Sequence, residues 1–520
     1  MNRLFRILIY LTLFLGAVFI IATVSINYFL KNKLENFIET RLPENIVQSY
    51  DDLSIQFFSG SIDISNALVM IKNKTDSLKH TSVRAEKLNI SGIHYWDYLV
   101  NNQIRIETIR IENPKIVYFK YKFKRTEDTV RKSLLKLYKP ILIDKVEINH
   151  TNLAIYEKAE DSTVLFAKNL SVAVKHIKLD NSILSQRLPL QFKEYSAKSD
   201  SILIKVSPYE NLTVKKFKIE NKNAIFNNLK LKTKYSRIRL SQIISKERDH
   251  YDLFVDELSV HDIDFGFNSK DVFFGKSKLI TISSPSLEIF RDKLVADDPT
   301  IKPLYSKMLR DLPFDLTVDS LDITNAYINY TEKVKEENSG GSINFSDLNV
   351  RISNLSNTYK SPVKTKITID SDFMEKTPFT AEWDFDVQNP NDKFIFKTDM
   401  EALNAEKMNK FTEPNLRVKL EGHTSKTYFT IDGNNEVSTT DMKISFSDFK
   451  VTVLSKDREN KNPILSTIAN IFIAKDSESK NDYFREGTAE VKRNKSKSYF
   501  NFLWISIKNA LTKSMTGSQE

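Results

Sequence analysis

The clearest pattern in the chain is the alternation of apolar and polar residues between Ile104 and Lys120, IRIETIRIENPKIVYFK. Two apolar residues stand two positions apart, a polar pair follows, a second apolar pair comes next, and a third pair follows a gap of four residues. The six apolar positions are Ile104, Ile106, Ile109, Ile111, Ile116 and Tyr118. Because successive side chains of a strand point to opposite faces, a spacing of two predicts half-buried β-strands. We call this six-position spacing the strand template.

The strand template recurs along the chain. Its full copies are Ile141, Ile143, Val146, Ile148, Leu153, Ile155; Leu212, Val214, Phe217, Ile219, Ala224, Phe226; Leu253, Val255, Leu258, Val260, Phe265, Phe267; and Leu316, Val318, Leu321, Ile323, Ile328, Tyr330. A companion strand pattern follows several copies, as at Leu170–Ile177 and Leu348–Leu355. The repetition predicts a mainly β fold, in which one elongated, twisted antiparallel repeating sheet replaces the several domains that the length would suggest.

One irregularity is built into the template. Three residues separate Ile106 from Ile109, so strict alternation would place the second apolar pair on the opposite face. The polar pairs at this slip are Glu107–Thr108, Asp144–Lys145, Lys215–Lys216, Asp256–Glu257 and Asp319–Ser320. None supplies the Gly or Asn-Gly that a two-residue hairpin favours. We therefore expect bulged, strongly twisted strands that absorb the extra residue.

An apolar stretch, residues 7–30, precedes the strand units and is long enough to cross a bilayer. A cleaved signal peptide is the alternative, but its apolar region would be shorter and would end in a small-residue cleavage site. We predict a single membrane-spanning helix that leaves residues 1–6 in the cytoplasm. Helically spaced apolar residues continue through residues 31–43 and predict a helical stalk, which Pro43 ends.

The rest of the chain divides by pattern. Residues 44–376 carry the repeating strand units, and residues 377–460 show the plainer alternation of a C-terminal β-meander, with a hairpin signal at Asp432-Gly433. Short helices are predicted at residues 129–138 and 301–312, where helically spaced leucines precede a proline.

Residues 461–520 are expected to form C-terminal helices and a basic tail, and the first helix covers residues 462–474. The last helix follows a cluster of lysines and arginine, and its apolar residues are Phe500, Leu503, Trp504, Ile507 and Leu511. Such a helix can cap the open end of a repeating sheet, which we favour, or lie on an anionic membrane surface. The two interpretations are not exclusive.

Composition excludes several classes of chemistry. The absence of cysteine excludes disulfides and thiolate chemistry. The net charge of +10 is spread along the chain, so a solvated basic surface is favoured over nucleic-acid binding. The seven histidines show no metal-ligand spacing, and there is no phosphate-binding glycine loop or nucleophile elbow. We therefore predict a protein without catalytic residues, metal or cofactor. His250 and His261 flank Asp252 and Asp256, yet a solvated strand edge explains them better than a site.

The apolar face that the templates generate has little to cover it, since the sequence predicts few helices. Either the sheet folds over as a closed sandwich, or it forms a trough with an apolar interior, which would be a liability unless it binds something apolar. An acyl chain is the natural ligand. The expected groove-lining residues are Ile104, Ile106, Ile109, Ile111, Ile141, Ile143, Val146, Ile148, Leu253, Val255, Leu316 and Val318.

The order of the apolar anchor, GIHYWDYLVNNQIRIETIRIENPKIVYF, ILIDKVEINHTNLAIYEK and FDLTVDSLDITNAYINY resembles the AsmA-like proteins of the diderm bacterial envelope. The resemblance spans nearly the whole chain but consists of degenerate patterns. It implies a single-pass inner-membrane anchor, a periplasmic β-groove for phospholipid acyl chains, and a role in phospholipid transport or outer-membrane maintenance. A partial conduit and an assembly factor with an envelope protein partner at the C-terminal end are both open. A non-transporting scaffold with a closed core is the alternative, and a hydrolase is a distant third.

Overall fold

The computed structural model describes residues 3–40, 42–124, 137–158, 162–454, 475–477 and 483–516, with side chains from residue 13 onward. The fold is mainly β, with 55% strand and 18% helix, and the 25 strands of the described residues belong to one mixed sheet. The predicted fold class is therefore confirmed. The chain divides into two compact units. The first comprises Met1–Val206 with Thr213–Lys222, and the second Ser207–Leu212 with Asn223–Glu520.

The N-terminal apolar stretch forms one continuous helix, α1, from Arg3 to Thr40. It includes both the predicted span and the predicted stalk, and it ends just before Pro43. The segment Leu13–Thr40 has a mean hydropathy of 2.1 in its most apolar part, none of which is buried against the rest of the protein. Length and composition therefore allow α1 to cross a membrane.

The first unit is built from short hairpins and long strands. Its strands are β1 (Ile46–Ser49), β2 (Asp52–Gln56), β3 (Ser61–Lys72), β4 (Lys79–Ile93), β5 (Ile104–Glu112), β6 (Lys115–Phe119), β7 (Ile141–Tyr156), β8 (Thr163–Leu179), β9 (Glu194–Ser199), β10 (Ser201–Lys205) and most of β11 (Glu210–Glu220). Its short helices are α2 (Tyr95–Leu99) and α3 (Asn181–Leu184).

The second unit continues the same construction. Its further strands are β12 (Asn223–Thr233), β13 (Asp249–His261), β14 (Asp264–Phe267), β15 (Phe273–Ser283), β16 (Ser286–Asp292), β17 (Asp315–Lys333), β18 (Gly341–Ser356), β19 (Thr365–Phe373), β20 (Thr377–Phe385), β21 (Phe394–Met400), β22 (Leu403–Asn404), β23 (Val418–Gly433), β24 (Val437–Val453) and β25 (Arg485–Lys492). Its helices are α4 (Arg237–Ile243), α5 (Tyr305–Arg310), α6 (Asn409–Leu416) and α7 (Tyr499–Thr516).

Most neighbouring strands are antiparallel, as predicted, but two groups of neighbouring strands run in parallel. β5 and β6 both lie parallel to β7, and β15 and β16 both lie parallel to β17. A parallel neighbour needs a long return of the chain. Between β6 and β7 the sequence supplies that return in residues 120–140. The regular spacing of the template did not reveal this orientation.

The four-residue gap of every template copy contains a residue in the left-handed region. These residues are Asn113, His150, Asn221, Asp262 and Asn325, with φ between 49° and 58°. Asn, Asp and His tolerate this conformation better than other side chains. In β7 and β17 the register with the antiparallel neighbour shifts at this point, between Ile148 and Leu153 and between Ile323 and Ile328. The gap is therefore where the template strands are bulged or broken.

The slip inside the template is absorbed by two strands together. Opposite the slip residues Glu107, Asp144, Asp256 and Asp319, the antiparallel neighbours place Gly92, His176, Asn228 and Asn354, all at positive φ. One residue in each of the two strands is left unpaired at this point. The pairing before and after the slip therefore keeps the same register. The predicted bulge is thus a paired irregularity, which single-strand reasoning could not supply.

Other predicted elements have mixed outcomes. The helix expected at 301–312 is present as α5. The helix at 462–474 and nearly all of the one at 129–138 lie outside the described residues. The predicted β-meander is interrupted by α6, which ends at Leu416 and contains Pro414 in its second half. The hairpin near Asp432-Gly433 is present, but both residues end β23 and the turn follows them.

The apolar face of the second unit's later strands is covered by α5 and α7. Leu304 and Leu309 at α5 join Phe502 and Ala510 of α7 in one buried cluster with the strands from β19 to β25. α7 approaches β25 closely because its facing side is made of small residues. A Cβ at Gly487 of β25 would lie 2.7 Å from the carbonyl oxygen of Ala510.

Replacing Gly487 by alanine should therefore push α7 away from the sheet. We expect Gly487→Ala to lower the free energy of unfolding by about 1–3 kcal/mol, as overpacking does in other cores. Gly275→Ala is the matched control, since the Cβ at that strand glycine would meet its nearest neighbour at 3.8 Å. Urea midpoints followed by circular dichroism would compare the two variants, and equal midpoints would contradict the close packing of α7.

Candidate functional site

The template positions of the first unit lie side by side. β5 and β7 pair Ile104 with Ile141, Ile106 with Ile143, Ile109 with Val146, and Ile111 with Ile148. Eight of the predicted groove residues are therefore neighbours in matching positions. The third template pair follows the same rule, because β6 and β7 pair Ile116 with Leu153 and Tyr118 with Ile155.

Companion strands extend these pairs into rows that contain one residue from each strand. Two such rows are Ile62, Ile90, Ile109, Val146, Val174, Tyr195 and Ile64, Leu88, Ile111, Ile148, Val172, Ala197. We call them the apolar rows. Each runs across six strands, and with strands about 4.8 Å apart it is roughly 24 Å long. The repeat thus produces a continuous apolar strip across the sheet.

Residues between the apolar positions carry charges that pair across the same strands. Arg105 lies 3.2 Å from Asp144, and the Arg110 guanidinium donates to Glu147 at 2.7 Å. Hydrogen bonds from Lys145 and Arg110 hold the pKa of Glu147 below its usual value. These partly exposed pairs add little stability. Their alternation with the isoleucines indicates a two-sided sheet, charged on one face and apolar on the other.

Burial differs along the apolar face of the sheet. In the first unit most side chains of the apolar rows are half-buried, and of the eight predicted groove residues there only Ile143 is fully buried. In the second unit one row runs through Ala224, Val260, Ile280, Leu321, Ile352, Ile367, Trp383, Phe396, Ile431, Thr440 and Ala489. Its members from Ile352 onward, Thr440 excepted, belong to or pack against the buried cluster beneath α5 and α7.

The four remaining predicted groove residues lie in the second unit. Leu253 pairs with Leu231 and Leu287, and Val255 pairs with Leu229. Leu316 and Val318 instead lie beside Gly275 and Ser277 of β15. Val255 and Val318 are each 3% exposed. These positions therefore continue the apolar face, but two of them are closed to solvent.

The five apolar residues singled out on the last helix have different surroundings. Leu503 is buried, Ile507 and Leu511 pack against the core cluster, and Phe500 and Trp504 are exposed. Besides Leu503, the buried side of α7 contains Tyr499, Phe502, Ser506, Ala510, Ser514 and Met515. The small residues among them were missed because the sequence analysis followed only large apolar side chains. α7 therefore forms a lid over the sheet, with two aromatic side chains left outside.

A buried ionic cluster in the second unit was also missed. Arg291 forms a bidentate pair with Asp249 at 2.6 and 2.7 Å, and Lys293 lies 2.6 Å from Glu247. Burial raises the pKa of the neighbouring Tyr251 hydroxyl. Each charge has an opposite partner, which makes this a structural network. No local sequence signal marks it, because its pairs join residues more than 40 positions apart.

Among the described residues, no group of three or more His, Asp and Glu side chains is placed to hold a metal ion. His250 and His261 lie at opposite ends of β13, which separates them by roughly 37 Å of extended strand. His250 contacts the carbonyl oxygen of Tyr235, and His261 contacts the hydroxyl of Ser259. The two histidines therefore do not converge.

Comparison with known proteins adds no family to this description. No protein-family model matches the chain, and no curated protein matches it. The resemblance to AsmA-like proteins therefore stays a prediction.

The difference in burial between the apolar rows of the first unit and the row of the second unit that contains Ile431 predicts different responses to a charge. Ile431 is 0% exposed, so Ile431→Asp would bury an unpaired carboxylate and should cost more than about 4 kcal/mol. Ile109 is half-buried, and Ile109→Asp should cost only about 1–2 kcal/mol because its carboxylate can stay hydrated. Urea denaturation of both variants would measure the difference, and a similar loss in both would show that the face is closed at Ile109.

Proposed function

We propose that this chain is a membrane-anchored protein that holds lipid acyl chains on the apolar face of its first unit. α1 anchors it, and the bulk of the chain lies on the periplasmic side of the inner membrane. In this proposal the protein supports phospholipid transport or maintenance of the outer membrane, as the resemblance to AsmA-like proteins implies. It acts by binding and needs no catalytic group.

The observation that carries the proposal is the half-buried state of the apolar rows. A row of large aliphatic side chains on six consecutive strands would be covered in a soluble sheet. In the second unit helices α5 and α7 provide such a cover. In the first unit, apart from α1, the described helices α2 and α3 have only five and four residues. An acyl chain is apolar, long and narrow, which suits a strip of this kind.

A scaffold function is the second candidate, and the buried cluster beneath α5 and α7 favours it. A closed core needs no ligand, and the second unit has one. A protein with this architecture could present its charged face to an envelope partner without binding lipid. In the lipid-binding function acyl chains contact the apolar rows, whereas in the scaffold function no lipid contacts them.

Photo-crosslinking can distinguish them in the full-length chain. Benzoylphenylalanine at Leu153, a half-buried position of the third template pair, should form an adduct with phospholipid in cells whose phospholipids carry radioactive phosphate. The same residue at Asn152, which is exposed and pairs with Lys115, should not. Because the two sites are adjacent, expression and membrane proximity are matched.

Labelling of position 153 alone supports lipid on the apolar face. Adducts of equal yield at both positions, or none at either, would contradict the proposed function and favour the scaffold.

A further inference from the structure

We infer that the first unit touches the membrane a second time, through an aromatic patch that lies next to α1. The patch consists of the turn after β2, at Phe57–Gly60, together with α2 and the residue after it, Val100. Its ligand is the lipid surface of the membrane that α1 crosses. The inference requires α1 to span that membrane, and it does not require lipid on the apolar rows.

The turn is attached to α1 within the apolar part of the helix. The ring of Phe58 lies 4.9 Å from that of Phe19, and the backbone N–H of Phe57 donates to the side-chain oxygen of Asn27 at 2.9 Å. The uncharged stretch of α1, residues 7–30, is long enough to cross the hydrocarbon core, and Asn27 lies near its C-terminal end. Asn27 would then lie at the boundary of the core.

This geometry fixes the depth of the turn. Phe19 precedes Asn27 by eight residues, so it lies about 12 Å from Asn27 toward the N-terminus of α1, inside the uncharged stretch. A ring in contact with Phe19 must therefore reach into the membrane if α1 crosses it. Phe58 is 58% exposed in the isolated protein, as a side chain facing lipid would be.

A series of contacts between aromatic rings connects the turn to α2. The ring centroid of Phe57 lies 5.4 Å from that of Phe58 and 4.6 Å from that of Tyr95 in α2. Apart from Asp97, the residues that follow are large apolar or amphipathic residues and are exposed, namely Trp96, Tyr98, Leu99 and Val100, with Trp96 exposed by 72%. Trp and Tyr are the residues enriched where a membrane meets water. The patch therefore has both the composition and the position of an interfacial anchor.

Basic residues border the patch on its solvent side. Lys139 lies 3.7 Å from the ring centre of Tyr98 and donates to its backbone carbonyl at 2.6 Å. Lys31 and Lys33 follow the span on α1, and Lys33 lies over the ring of Phe29. Lysines at this level suit the phosphates of anionic lipids. A lipid surface therefore explains the aromatic and the basic residues together.

The experiment uses the tryptophans as depth probes. The full-length chain has three, of which Trp96 is in the patch and Trp504 is exposed on α7. The wild type, Trp96→Phe and Trp504→Phe would each be reconstituted in nanodiscs of phosphatidylcholine and phosphatidylglycerol, with bromine at a shallow or a deep acyl position. Both changes are at exposed sites, so the fold should be unaffected, and circular dichroism checks this.

We expect bromolipid to quench the wild type and Trp504→Phe, more strongly from the shallow position, and we expect Trp96→Phe to lose most of the quenchable emission. The inference is overturned if Trp96→Phe keeps the quenchable emission of the wild type, or if acrylamide in the water, instead of bromolipid, quenches Trp96. Lipid adducts at position 153 test the proposed function separately, so the two can fail independently.

Discussion

The in-register pairing of the strand template is the constraint on which the rest of the structure depends. Six apolar positions per copy would be scattered over both faces by the three-residue slip if each strand absorbed it alone. The slip is instead matched across neighbouring strands, as at Glu107 opposite Gly92 and Asp144 opposite His176. Ile106 thus meets Ile143, and Ile109 meets Val146, on either side of it. A continuous apolar strip follows from this register alone.

The presence or absence of a helical cover then decides what the strip can do. In the second unit the small residues of α7 allow the helix to lie close to Gly487, and the row that contains Ile431 becomes a conventional core. In the first unit the rows stay half-buried, and apart from α1 the described helices there have only four and five residues. The second unit thus contains the covered core that the sequence left as one alternative, and the open trough stays a proposal for the first unit.

Period and composition were enough to predict most of the strands, α1 and α5, because these depend on local spacing. Parallel pairing of β5 with β7 could not be predicted, since direction depends on the return of the chain. The left-handed backbone conformation of Asn113 and His150 could have been predicted, because Asn, Asp or His recurs in the four-residue gap of the template copies. Ionic pairs such as Asp249 with Arg291 gave no signal, because burial of a charge depends on distant partners.

The central claim is that the apolar face of the first unit is occupied by acyl chains. The most direct test is mass spectrometry of lipid extracted from residues 42–520, produced in a diderm host and purified without detergent. The account predicts phospholipid in stoichiometric amount with the protein. A stable, folded preparation that contains no lipid would contradict it and would leave the scaffold as the better description of this chain.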